Sequence, residues 1–313
     1  MKTKPKVAVL MGGRSAEREI SIMTGEEIYK ALVQKGYPAV KVYLDENVVE
    51  NLKREKVDVV FIALHGRYGE DGTVQGMLEI LGLPYTGSGV LASALGINKI
   101  MAKRIFKASS VNTADFCTIS QEEYKKDPTS VREKVIEEIG FPMVIKPARE
   151  GSTIGLSVVQ KSDQLDAALQ DAFEYDEQLL VEKFIEGTEV TVGILGDKDP
   201  EALPTLEIVS KKGIYDYQAK YTPGMSEHII PARIPSEHRR AVQEMAIKAH
   251  KALGCRGFSR VDAIVTREGI PYILEVNTIP GMTSLSLFPD AARVAGIAFP
   301  DLVSRIVEMA LEK

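Results

Sequence analysis

Apolar and polar positions along the chain follow two periods. Near the start, KVAVLMGG is a short apolar run that stops at glycines, the mark of a buried strand entering a turn. AEREISIMTGEEIYKALVQKG follows with apolar residues three and four apart, a helix closed by Gly36. AVKVYL and VDVVFIAL repeat the strand pattern, and strands separated by helical segments predict a parallel sheet with crossover helices. The polar loop HGRYGEDGT then leads into a helix around VQGMLEILG, and the small residues of PYTGSGVLASALGINK predict a boundary or hinge.

Beyond that boundary the rhythm changes. NKIMAKRIFKAS reads as a helix, and EEYKKDPTSVREKVIEEIG as a helix interrupted at Pro128. FPMVIKPA and LSVVQ are strands around a glycine-containing loop, SDQLDAALQDAFE is a helix, and QLLVEKFIEGTEVTVGIL holds two strands around Gly187. From about 210 to 227 the chain is polar, tyrosine-rich and weakly periodic, which predicts a long loop able to act as a lid. SEHRRAVQEMAIKAHKALG is a helix, GFSRVDAIV and IPYILEVN form an antiparallel pair, and FPDLVSRIVEMALEK closes the chain as a helix. The fold class is α/β, with three expected units at 1–96, 97–181 and 182–313.

At 313 residues the chain is long enough for two or three cores. Its 44% hydrophobic and 27% charged content is that of an ordinary globular protein, and a formal charge of -5 argues against a general nucleic-acid binder. Cys117 and Cys255 match no metal or redox spacing, so two buried thiols in a reducing cytoplasm are expected. No apolar run approaches a membrane span, and MKTKPKVAVLMGG is no signal peptide because its apolar segment enters a glycine turn at once.

The chemistry concentrates at strand ends. Glu275 and Asn277 stand two apart in YILEVN, hence on one face, and Arg260 and Asp262 stand two apart in the partner strand. Asp262, Glu275 and Asn277 then converge as oxygen donors suited to Mg²⁺, while an acid satisfied by Arg260 is the plainer alternative. Lys146 ends an apolar strand, where an ammonium needs an anion, and Gly151, Ser152, Thr153 and Gly155 offer backbone N–H groups and hydroxyls for phosphate oxygens. Glu182 and Glu189 flank a turn whose backbone edge could read adenine and whose carboxylate could take ribose hydroxyls. In the first unit, Glu17 opens a helix, where it suits the dipole or could hold a substrate ammonium. His65 directly follows an apolar strand at the sheet edge where α/β ligands bind, and it could equally be structural.

Taken together, GGRSAEREIS, ALHGRYGEDGTVQGMLEILGLPYTGSGVLASAL, KPAREGSTIG, YDYQAKY, GFSRVDAIV and LEVNTIPGMTSLSL closely resemble the D-alanine–D-alanine ligase family of the ATP-grasp superfamily. The resemblance runs nearly end to end. It implies an N-terminal parallel-sheet α/β domain followed by a two-part ATP-grasp module with the nucleotide between two sheets. It implies ATP-dependent joining of two D-alanines through an acyl phosphate, for peptidoglycan synthesis, with Mg²⁺ as two ions (Mn²⁺ a substitute) and a cytoplasmic homodimer. By the same resemblance Lys99, Lys146 and Ser152 contact phosphates, Glu182, Lys183 and Phe184 the adenine, and Glu189 the ribose. Asp262, Glu275 and Asn277 match metal ligands; Glu17 and His65 lie around the first D-alanine, and Lys220, Tyr221, Ser286 and Leu287 around the second. Tyr221, Ser152 and Glu17 form a hydrogen-bonded set in relatives, and Arg260 with the Gly281 N–H stabilises the tetrahedral oxyanion. Two alternatives remain beside this: a D-alanine–D-lactate ligase, whose members typically carry Phe where Tyr221 stands, and a catalytically idle ATP-grasp protein, expected to lose Arg260 or a metal ligand.

Overall fold

Val7–Met11 (β1) is buried at all five positions, as the middle strand of a sheet covered on both faces must be. Residues 4–151, 153–210, 226–283 and 286–312 are described by the computed structural model, except the side chains of Ser210 and Ser226. The helix Arg18–Gln34 (α1) leads to Ala39–Tyr43 (β2), and Val48–Glu55 (α2) to Val59–Ile62 (β3). The three strands are parallel in the order β2-β1-β3, the crossover sheet expected from the alternating periods. Thr73–Ile80 (α3) follows the polar loop. Within the small-residue stretch read as a boundary or hinge, Tyr85 bridges to Val60 of β3, and Val90–Ile97 forms a helix, α4. Asn98 separates it from Lys99–Ala108 (α5), accepting 3.1 Å from the Met101 N–H as a helix cap.

A second sheet comes from the middle of the chain. Its strands are Phe116–Ser120 (β4), Met143–Pro147 (β5), Ser157–Val159 (β6) and Gln178–Lys183 (β7), antiparallel in the order β4-β7-β5-β6. Gln121–Lys126 (α6), Pro128–Glu138 (α7) and Leu165–Phe173 (α8) accompany it. Pro128 divides the first two helices as expected, because a proline has no N–H to lose in the first turn of α7.

The third sheet is also antiparallel. Thr188–Leu195 (β8), Glu201–Ala202 (β9), Leu206–Ser210 (β10), Ser226–Ile229 (β11), Phe258–Val265 (β12) and Pro271–Asn277 (β13) run in the order β11-β10-β8-β12-β13, with β9 on β8. Ser236–Ala252 (α9) packs on it. The two strands read around Gly187 are both present but enter different sheets, so the second expected boundary, at 181/182, falls inside β7. A Cβ at Gly187 would come within 2.4 Å of the Val265 carbonyl, so the chain can change sheets there only without a side chain. The expected lid of 210–227 is shorter than its sequence suggested: Ser210 pairs with Ser226 and Val209 with Glu227, because edge-strand hydrogen bonding claims both ends. Residues 211–225 of that lid lie outside the described residues.

The last two helices, Leu287–Val294 (α10) and Phe299–Leu311 (α11), return to the first sheet. Phe61, Phe258, Phe288, Leu302 and Ile306 share one buried cluster with β1 and α1. The Tyr37 hydroxyl meets Ser304 Oγ at 2.8 Å, tying the two ends of the chain together. Cys117 and Cys255 are buried and free, and burial pushes their thiols up to about 11 and about 12, as inert thiols should be. Among the described residues no helix is long and apolar enough to cross a membrane.

Candidate active site

The second and third sheets face each other across a cavity of about 220 Å³. Lys146 enters it from β5, Glu182 and Lys183 from the end of β7, and Glu189 from β8. Phe184 follows β7, Lys99 opens α5, and Asp262 and Glu275 come from β12 and β13. Every described residue expected around ATP is therefore on this wall; Ser152 lies outside the described residues.

Glu182 is the electrostatic centre of that wall, 3% exposed. Its two oxygens meet two ammoniums, Lys146 at 2.6 Å and Lys103 at 2.7 Å. Burial would raise the carboxyl, but Lys146 and then Lys103 outweigh it and hold it down at about 2. Burial pushes the Lys103 ammonium below its ordinary value, against the pull of Glu182. Lys103 was not found from sequence, since one lysine in an amphipathic helix carries no sign that it faces inward.

A second, polar cavity of about 80 Å³ opens beside the first, sharing Lys99, Gly151 and Glu275 with it. Glu17, His65, Arg260, Asn277 and Gly281 line it. Glu17 stands at the start of α1, its Oε2 3.1 Å from where a Cβ on Gly66 would lie. His65, 6% exposed, is held by Thr24 Oγ1 at 3.1 Å on Nε2 and approached by Glu70 Oε1 at 3.4 Å on Nδ1. Glu70 also lines this cavity and was missed, because a loop glutamate five residues after His65 has no local signature. Burial raises its carboxyl, His65 opposes that, and the charge of Glu17 adds to it.

The oxygen donors converge as the alternation required. Asp262 and Glu275 are register partners across β12 and β13, and Arg260 pairs with Asn277 two residues along. Asp262 is gripped by Arg260 (Nε 2.9 Å, Nη2 2.7 Å) and by Thr191 Oγ1 at 2.5 Å, so the plainer alternative of an acid satisfied by Arg260 is also realised. Glu275 lies 3.4 Å from Lys99 Nζ, and Asn277 Oδ1 accepts 2.9 Å from the Ile279 N–H. Among the described residues no three His, Cys, Asp or Glu side chains gather as a metal group. Two carboxylates and one amide remain a hard-oxygen set: Asp262 Oδ1 takes two donors, Arg260 Nε and Thr191 Oγ1, while Oδ2 takes only Arg260 Nη2 and keeps a lone pair. The set fits Mg²⁺ where further ligands come from phosphates and water.

Ser286 and Leu287 line neither cavity; Ser286 lies against Gly281, which lines the smaller one. Ser286 Oγ accepts from the Thr283 N–H at 3.0 Å, and a Cβ on Gly281 would come within 2.8 Å of it. The Leu287 side chain is buried with Leu206 and Ile208, so only its backbone at the start of α10 is suited to a polar ligand. Lys220 and Tyr221 lie outside the described residues.

Known proteins match this chain along nearly its whole length. Residues 6–53 and 45–88 match the family described as D-ala D-ala ligase N-terminus, and residues 105–308 the one described as D-ala D-ala ligase C-terminus. A D-alanine–D-alanine ligase of Pelotomaculum thermopropionicum is 55% identical over 308 residues, 98% of this chain and 97% of that protein. The crystal structure of D-alanine–D-alanine ligase from Bacillus anthracis has a TM-score of 0.85 at 37% identity, covering 98% of both chains. A complex of that enzyme with ATP has a TM-score of 0.83 at 35% identity, again covering 98% of both. VanG D-Ala:D-Ser ligase from Enterococcus faecalis has a TM-score of 0.84 at 30% identity, covering 99% of this chain and 100% of that one.

Proposed function

The chain belongs to the D-alanine–D-alanine ligase family, and we propose that it joins two D-alanines at the two cavities that meet along Lys99, Gly151 and Glu275. It is an ATP-dependent ligase whose product serves peptidoglycan synthesis. That junction is the observation that carries the assignment of the site: a charged cavity between two sheets adjoins a smaller polar one, so a phosphate and a carboxylate can meet there.

ATP lies in the larger cavity, with adenine at Glu182, Lys183 and Phe184, ribose at Glu189, and phosphates toward Lys146, Lys99 and the loop holding Ser152. Asp262, Glu275 and Asn277 hold Mg²⁺, which when bound neutralises phosphate charge. Glu17 takes the ammonium of the first D-alanine, and His65, fixed by Thr24 and Glu70, orients it. The carboxylate of that D-alanine attacks the γ-phosphate, giving an acyl phosphate and ADP. The amine of the second D-alanine, its carboxylate held by Lys220, Ser286 and the Leu287 backbone, attacks the acyl carbon and displaces phosphate. Arg260, anchored on Asp262 through Nε and Nη2, lines the smaller cavity with Gly281, and its guanidinium with the Gly281 N–H stabilises the oxyanion. The base that takes the ammonium proton is Tyr221, His65 or the phosphate itself. Closure of the loop within 210–227 would keep water from the acyl phosphate.

Three units at 1–96, 97–181 and 182–313 belong to the same reading, with the second boundary best drawn in the turn after β7. So do a cytoplasmic location and a homodimer. Apolar Ile80 (89% exposed), Leu91 (71%), Val90 and Met101 stand on the adjoining helices α3, α4 and α5, and sedimentation tests whether they are covered. The activity is tested by supplying ATP, Mg²⁺ and D-alanine and measuring dipeptide, ADP and phosphate. Equal yields of the three are expected; ADP and phosphate released with no dipeptide would overturn the reading.

A further inference from the structure

Lys103 is 0% exposed, yet it belongs to neither cavity wall. It lies one layer behind the larger cavity on α5, where its ammonium meets Glu182 Oε2 at 2.7 Å and Thr113 Oγ1 at 2.5 Å. Thr113 Oγ1 in turn donates 2.8 Å to the Ile273 carbonyl of β13. The chain Glu182–Lys103–Thr113–Ile273 thus runs from the second sheet to the third, and it fixes the ammonium from both sides.

We propose that Lys103 is a positioning residue of the nucleotide site, occupying one oxygen of Glu182 so that the charge of Lys146 stays available to a phosphate. The inference rests on the nucleotide reading above. Two ammoniums share one carboxylate, so the trio carries one net positive charge, and Lys146 is its cationic member on the cavity wall. Without Lys103, Lys146 and Glu182 form a closed neutral pair, and the carboxylate cancels the field that Lys146 presents to an anion. Lys99 adds a second cation on the Glu275 side of the cavity, 3.4 Å from Glu275 and donating 2.6 Å to the Glu150 carbonyl, and among the described residues it forms no ion pair with Glu182. A buried pair serving packing alone would need one lysine, not two.

Three variants test this: Lys103→Met, Lys103→Met with Glu182→Gln, and Thr113→Val. Binding of the non-hydrolysable analogue AMP-PNP with Mg²⁺ is read by calorimetry, and KM for ATP and for D-alanine by steady-state kinetics. Lys103→Met should weaken AMP-PNP and raise the ATP KM by about ten-fold, the scale of one charge-assisted contact, with the D-alanine KM unchanged within about two-fold. The double variant should bind AMP-PNP several-fold (~3-fold or more) tighter than Lys103→Met, since Lys146 no longer faces a carboxylate. Thr113→Val, which keeps the charge but frees the ammonium, should show a smaller loss in the same direction. AMP-PNP binding by Lys103→Met at the parent's level, or a double variant no better than the single, overturns the proposal and leaves Lys103 a packing residue. Should Lys103→Met not fold, Thr113→Val decides: unchanged AMP-PNP affinity there overturns it. A parent chain that binds AMP-PNP but makes no dipeptide refutes the ligase reading and leaves this inference standing.

Discussion

Asp262 and Glu275 sit directly opposite one another on adjacent antiparallel strands, with Arg260 holding the first and Lys99 near the second. Two like charges at that spacing are tolerated because each has a cation, and a divalent ion would bind both more strongly than either lysine or arginine does. Glu275→Gln removes one of the two negative charges without changing shape. Turnover should fall by at least about 10²-fold at saturating Mg²⁺, with the thermal midpoint within a few degrees of the parent. Turnover within a few-fold of the parent would remove Glu275 from the metal site.

Arg260→Lys tests the planar fork. Nε and Nη2 grip the two oxygens of Asp262 together, a geometry one ammonium cannot copy while still reaching an oxyanion. The expected cost is about 10²–10³ in kcat, as for loss of an oxyanion donor. A variant with the parent's kcat would assign Arg260 to holding Asp262 alone.

His250 governs a separate response to acid. It is 1% exposed, its Nδ1 lies 2.7 Å from Ser259 Oγ, and among the described residues Nε2 has no hydrogen-bond partner. Burial depresses its pKa to about 4; Asp197 opposes that, and Lys251 adds to it. The unfolded chain, with His near 6.5, binds the proton first, so stability should fall as pH drops from about 6.5 to about 4 and be flat above that window. The full effect is roughly 3 kcal/mol at about 1.4 kcal/mol per pKa unit. Urea unfolding at pH 7.5 and pH 4.5 should show a smaller acid loss in His250→Gln than in the parent; equal losses would place the response elsewhere.

Tyr221 lies outside the described residues, and the resemblance alone assigns it to the second substrate. Tyr221→Phe should lower dipeptide synthesis and raise the depsipeptide-to-dipeptide ratio when D-alanine and D-lactate are supplied equally. The shift should be greatest near pH 6, where free amine is scarce. A constant ratio from about pH 6 to 9 would move selectivity to the groups that hold the carboxylate.

What the sequence determines by itself is whatever repeats within a few residues. The period of two in FSRVDAIV and YILEVN puts Arg260, Asp262, Glu275 and Asn277 on one face, and the pairing of β12 with β13 leaves them there. The family motifs likewise point to Lys99, Lys146, Glu182 and Glu189 on the larger cavity and to Glu17, His65 and Gly281 on the smaller one. Local period says nothing of which strands become neighbours. β7 and β8 are separated by four residues yet enter different sheets, and α11 returns from the far end of the chain to pack on α1 and β3, because burial of apolar area is settled between distant segments. The same holds for single charges. Glu70 and Lys103 look like solvent-facing residues in their own stretches of chain, and only the packed structure carries one to His65 and encloses the other against Glu182, where desolvation makes a partner obligatory.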